Sequence, residues 1–137
     1  MTLATTELRF ASRVEAIDEA TAAVSEFLSR AGVSEDIAFG IDMAVREAVT
    51  NAVIHGNKLD EKKFVELSLR TLPNAIEISV HDQGPGFNPE AVPDPTAQEN
   101  ILKASGRGIF FMRSFMDEVD WSIRPGGGTT VRMLKRR

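Results

Sequence analysis

Cysteine is absent from this chain of 137 residues, which removes several chemistries at once. No disulfide framework, thiolate metal site or cysteine nucleophile can be built. Histidine is nearly as scarce, and the two present are too few for a zinc site. No apolar run approaches the length of a membrane-spanning helix, and Met1 to Thr6 lacks the basic start and apolar stretch of a signal peptide. Basic residues are scattered apart from Lys135-Arg136-Arg137, and the formal net charge is −4, so a nucleic-acid surface is not indicated. The basic tail reads as a frayed terminus. What remains is a cytoplasmic protein of one domain, 1–137, large enough for a single core and with neither membrane nor nucleic acid as partner.

The elements follow from periodicity. Glu7-Leu8-Arg9-Phe10 alternates as a short strand at a sheet edge. Ser12 and Glu15 have the spacing of a capping box, predicting a helix from Arg13 to about Arg30 that stops at Gly32. Ser34 caps a second helix, with Glu35 and Asp36 in its first turn and Ile37, Ile41, Ala44, Val45, Ala48 and Ala52 on its buried face, ending near Gly56. Val65, Leu67 and Leu69, then Ile76, Ile78 and Val80 across Pro73-Asn74, make an antiparallel hairpin with one wet face, where His81 falls. From Asn88 to Ser105 three prolines and many polar residues argue against a regular element, and a connection of that length suits a lid. A third helix, Ile109 to Met116, and two strands, Val119 to Ile123 and Thr129 to Leu134, complete the order around the turn at Pro125 to Gly128. The expected class is α+β: a two-layer sandwich, mainly antiparallel, with three helices on one face.

Three stretches carry polar groups that packing does not require. In the second helix Glu47, Asn51 and His55 recur every four residues, so an α-helix stacks them on one stripe. Asn is a poor interior helix residue, and one turn after a carboxylate it offers oxygen ligands to a Mg²⁺ held mainly by phosphates and water. The stripe reads either as that or as a solvated face, and His55 either joins it or meets the helix dipole. Asp82-x-Gly84-x-Gly86 follows a strand directly, where glycines admit a flat ligand and a carboxylate accepts from a purine amino group. Gly106-x-Gly108 opens a helix whose N–H groups suit phosphate oxygens, although such glycines also make plain entry turns. Gly126 to Gly128 reads as a hairpin turn rather than a third ligand loop. No Walker A loop or dinucleotide fingerprint is present.

Taken in order, Glu47-Ala-Val-Thr-Asn51-Ala-Val-Ile-His55-Gly56, Asp82-Gln-Gly84-Pro-Gly86 and Gly106-Arg-Gly108-Ile resemble the N, G1 and G2 boxes of the superfamily shared by type II topoisomerases, histidine kinases and mismatch-repair ATPases. The short length, Glu-Ala-Val-x-Asn-Ala, the run Met112 to Val119 and the closing Gly128-Thr129-Thr130-Val131 are similar to the bacterial anti-sigma-factor serine kinases. That resemblance implies a Bergerat-type ATP site, an anti-anti-sigma factor phosphorylated on serine or threonine, a sequestered sigma factor and a homodimer. It also implies roles. Asn51 is the Mg²⁺ ligand, Asp82 the adenine contact, Glu47 the general base, and Gly84, Gly86, Gly106, Gly108 and Thr130 belong to the nucleotide pocket. Ala104 stands where a basic residue is common in these kinases, which leaves Lys103 or Arg107 to reach the phosphates. Two other readings stay open. One is an interaction switch that keeps the pocket but transfers little phosphate; the other is the ATPase part of a histidine kinase, against which no phosphoacceptor domain accompanies the motifs.

Overall fold

The computed structural model describes residues 5–84, 112–123 and 127–137. Its strands are β1 (Thr5–Ala11), β2 (Phe64–Leu72), β3 (Ala75–His81), β4 (Glu118–Ile123) and β5 (Thr129–Arg136). They form one five-stranded sheet in the order β1-β2-β3-β5-β4, every described pair antiparallel. The register aligns the alternation of all five. Leu8, Leu67, Val80, Val131 and Trp121 make one cross-strand row, and Leu69, Ile78, Met133 and Val119 the next. Because successive side chains point to opposite faces, these rows lie on one side, and Ser68, Glu77, Ser79, Arg132 and Asp120 lie on the other.

Helices α1 (Glu15–Arg30) and α2 (Glu35–Thr50) cover the apolar side. Ala16, Ala20, Val24 and Leu28 of α1 and Ile41, Ala44, Val45 and Val49 of α2 share one core with the strand rows, and Met112, in a short helical stretch 112–115, and Met116 just after it join that core. Gly40 leaves room for this stretch, since a Cβ there would lie 3.3 Å from the Phe115 ring. The layers are those expected from the sequence. The remainder of the expected third helix and the expected lid, Asn88 to Ser105, lie outside the described residues.

Three local expectations are corrected. Ser12 does not cap α1: the helix begins at Glu15 with no side-chain cap, and Ser12 is buried with its hydroxyl donating to the carbonyl of Lys63. The α-winding of α2 stops at Thr50, and Asn51–Gly56 continues as a π-helical turn. The tail is not frayed. β5 runs through Arg136, whose N–H donates to Asp117 at 2.6 Å, and the Arg137 N–H donates to the carbonyl of Asn74 at 2.9 Å. Ser34 does cap α2, accepting from the Ile37 N–H.

Candidate functional site

Asp82 sits one residue past the end of β3 and is buried. Its N–H closes the β3–β5 ladder on the carbonyl of Thr129 at 2.9 Å. Its Oδ1 accepts the N–H of Gly84 at 2.9 Å and of Thr129 at 3.3 Å. No donor among the described residues is placed on Oδ2. Burial pushes this carboxyl above its usual range, and the two backbone donors, His81 and Lys63 offset that only in part. Among the described residues, then, this buried carboxylate has one oxygen held by backbone and the other able to accept a further donor.

Glycines make the close packing around it possible. A Cβ on Gly56 would lie 2.5 Å from Asp82 Oδ2; one on Gly84 would run into the carbonyl of Gly56, and one on Gly128 into that of Asp82. Gly128 also has φ of +97°, and its N–H donates to the carbonyl of Gly84 at 2.7 Å. The π turn after α2, the turn after β3 and the entry to β5 therefore meet at glycine backbone and at the Asp82 carboxylate.

The π turn is what brings Gly56 to this point. Asn57 N–H bonds back to the carbonyl of Ala52 at 2.8 Å, an i to i+5 closure, and Lys58 and Leu59 then leave with φ of 53° and 59°. Such wider turns inside helices recur at functional sites. One consequence is that the expected stripe breaks: His55 is exposed on the π turn and does not continue the α-helical stacking of Glu47 and Asn51. Glu47 is half-buried in the last turn of α2, and Asn51 is half-buried at the start of the π turn, its N–H donating to the carbonyls of Glu47 and Ala48. No group of three or more acidic or histidine side chains that could hold a metal alone occurs among the described residues.

The structure thus brings Asp82 and Gly84 against the end of the segment that carries Glu47 and Asn51. Thr130 is not with them: its hydroxyl meets Nδ1 of His81 at 3.0 Å, on the sheet face away from the helices, and Thr129 is the residue that reaches Asp82. His81, read from the alternation as solvated, is half-buried in that contact. Gly86, Lys103, Gly106, Arg107 and Gly108 lie outside the described residues. Asn57 lies outside every motif named from the sequence, and Gly56, Gly128 and Thr129 lie inside such runs without a role assigned to them. The contact of Gly128 with Asp82 could not be read from a turn or a family run, and the close approach at Gly56 depends on a winding that periodicity does not reveal.

A family described as histidine kinase-like ATPase domain matches residues 10–135. The chain belongs to that family. It is similar to an anti-sigma F factor of Clostridium perfringens, 34% identical over 94% of each chain. It is also 35% identical to the serine-protein kinase RsbW of Staphylococcus epidermidis, over 94% of this chain and 84% of the relative. Two solved structures share the fold. The RsbU and RsbW domains of Rv1364c from Mycobacterium tuberculosis superpose with a TM-score of 0.71 at 20% identity, covering 97% of this chain and 32% of that longer one. The SiaB-SiaC complex from Pseudomonas aeruginosa gives 0.70 at 14% identity, covering 94% and 88%. Among the described residues of this histidine kinase-like ATPase, no helix is long and apolar enough to cross a membrane.

Proposed function

We propose that this site binds ATP and that the chain uses it to control transcription by phosphorylation. The chain is an ATP-dependent serine-protein kinase and an anti-sigma factor: it phosphorylates an anti-anti-sigma factor and sequesters a sigma factor. The observation that carries the nucleotide reading is the buried Asp82 carboxylate, held by two N–H groups on Oδ1 and set beside glycine backbone at the end of α2. A purine 6-amino group is the donor that such an acceptor would select. Gly84 and Gly86 flank the base, and Gly106, Gly108, Lys103 and Arg107 serve the phosphates.

Asn51 and Glu47 fit a Mg²⁺ carried in by the nucleotide, since they offer oxygen donors one turn apart without forming a metal cage of their own. Asn51 would hold that ion, whose chemistry is to neutralise charge on the phosphates. Glu47 accepts the proton of the substrate hydroxyl as that oxygen attacks the γ-phosphorus and the bond to ADP breaks. The protein acts in the cytoplasm as a homodimer and binds its sigma factor on a surface outside the nucleotide site.

Incubation with γ-labelled ATP and candidate anti-anti-sigma proteins tests this reading. Label on one serine or threonine of a candidate, together with release of a co-purified sigma factor by the unphosphorylated form, is the expected result. Sigma-factor capture without transfer to any candidate would favour the interaction switch, and label retained on a histidine would favour the histidine-kinase reading.

A further inference from the structure

Asn57 is a buried amide, 1% exposed, whose side-chain partners all belong to other parts of the chain. Its Nδ2 donates to Ser12 Oγ at 2.8 Å and to the carbonyl of Phe64 at 3.0 Å. Its Oδ1 accepts the N–H of Gln83 at 2.7 Å. Ser12 Oγ passes the chain on, donating to the carbonyl of Lys63 at 2.7 Å. The Gln83 side chain completes the loop by accepting the N–H of Phe64 at 2.6 Å. One amide therefore ties together the π-turn exit, the segment after β1, the start of β2 and the residue that follows Asp82.

We propose that Asn57 is the positioning residue for nucleobase selection: by fixing the Gln83 backbone it sets where the Asp82 carboxylate points, and with it the preference for adenine over guanine. This deepens the nucleotide reading above and rests on it. A purine 6-amino group donates to a carboxylate, whereas the 6-oxo group of guanine places an acceptor against it. A site built around one hydrogen bond discriminates only while the acceptor stays in place.

Asp82 is held from behind by the β3–β5 ladder and from ahead by the turn through Gln83 and Gly84. The Gly84 N–H reaches Oδ1 only while that turn keeps its shape, and the Gln83 N–H, between the two, is anchored on Asn57. An amide suits this post because it accepts on one side and donates twice on the other. Asp at position 57 would keep the acceptor but turn a second acceptor toward the Phe64 carbonyl; Ala would leave the Gln83 N–H and that carbonyl without these bonds. None of the hydrogen-bond partners of Asn57 is Glu47 or Asn51, so its influence falls on binding of the base and not on transfer.

Calorimetric affinities for ADP and GDP, with KM for ATP and kcat for transfer, are to be compared in wild type, Asn57→Ala, Asn57→Asp, Ser12→Ala and Asp82→Asn, each checked for folding by its melting transition. In both Asn57 variants the preference for ADP over GDP should fall about tenfold, with KM for ATP rising in step and kcat within about twofold of wild type. Ser12→Ala, which removes only one partner of the amide, should lose about two- to threefold, and it carries the test if the Asn57 variants do not fold. A loss of stability alone would not move the ratio of the two affinities. Preference unchanged in every folded Asn57 and Ser12 variant but lost in Asp82→Asn overturns the role of Asn57 and leaves the site standing. Preference unchanged in Asp82→Asn as well overturns the nucleobase assignment, and the role of Asn57 with it.

Discussion

Single residues carry this site through the space they leave as much as through the groups they present. Gly56→Ala would push a methyl group into the Asp82 carboxylate, 2.5 Å from Oδ2. It should cost about 1–3 kcal/mol of stability by overpacking, and weaken ATP binding roughly tenfold or more by displacing one charge-assisted hydrogen bond. Gly32→Ala is the contrast, because Gly32 has φ of +71° with nothing within 4 Å of a Cβ. It should lose about 1 kcal/mol from backbone strain and leave ATP affinity untouched, so paired melts and titrations separate the two effects. A second, half-buried carboxyl makes a prediction about pH. Asp42, between α1 and α2, has Oδ1 buried without a hydrogen-bond partner, and burial raises its pKa from 3.8 despite the Ser25 hydroxyl on Oδ2. The folded chain then holds this proton more tightly than the unfolded chain, so ionisation costs stability as pH rises from the ordinary carboxylate value through the raised one. Asp42→Asn should therefore melt higher than wild type at neutral pH, with the advantage vanishing below about pH 4. A difference that does not change with pH would contradict this. Asp-x-Gly-x-Gly after a strand is common in turns, so Asp82 stood out in the sequence only through its order with the Glu47 and Gly106 stretches. Asn57 did not stand out, because nothing local distinguishes a clamp from a loop amide.

At the scale of elements, alternation and caps were sufficient for the strands, the hairpin and the start of α2, since each depends on near neighbours in sequence. The failures have a common cause: the competing partner lies far along the chain. Ser12 forgoes the capping box for Lys63 and Asn57, 51 and 45 residues away. The α-helix of the Glu47 segment gives way to a π turn, which sets Gly56 against Asp82, 26 residues on from Gly56. Thr130 was drawn toward the pocket by its place in the Gly128-Thr129-Thr130-Val131 run, yet strand parity assigns it to the wet face with His81. The C-terminal strand makes a further prediction. Deleting Arg136 and Arg137 removes the N–H bonds to Asp117 and Asn74, and should lower stability by about 1–2 kcal/mol on the usual worth of such bonds. An unchanged denaturant midpoint would restore the frayed-tail reading.

For the whole molecule, three short motifs in a fixed order pointed to the family that the match over residues 10–135 establishes. The spatial reason is that the π turn after α2 and the Asp82 turn after β3, at opposite ends of the β2–β3 hairpin in sequence, close on one another at Gly56 and Gly84. Order along the chain was visible, whereas the closing contacts were not. We propose a division of labour across that closure, in which Asp82 selects the base, Asn51 holds the metal, and Glu47 takes the proton from the acceptor hydroxyl. Glu47→Gln separates these roles because it keeps shape and hydrogen bonding while removing the base. Single-turnover transfer from saturating ATP to the anti-anti-sigma factor, measured beside ATP affinity and sigma-factor capture, is the direct test. Transfer should fall by roughly 10²–10⁴-fold while both affinities hold; transfer at the wild-type rate would contradict the assignment of Glu47.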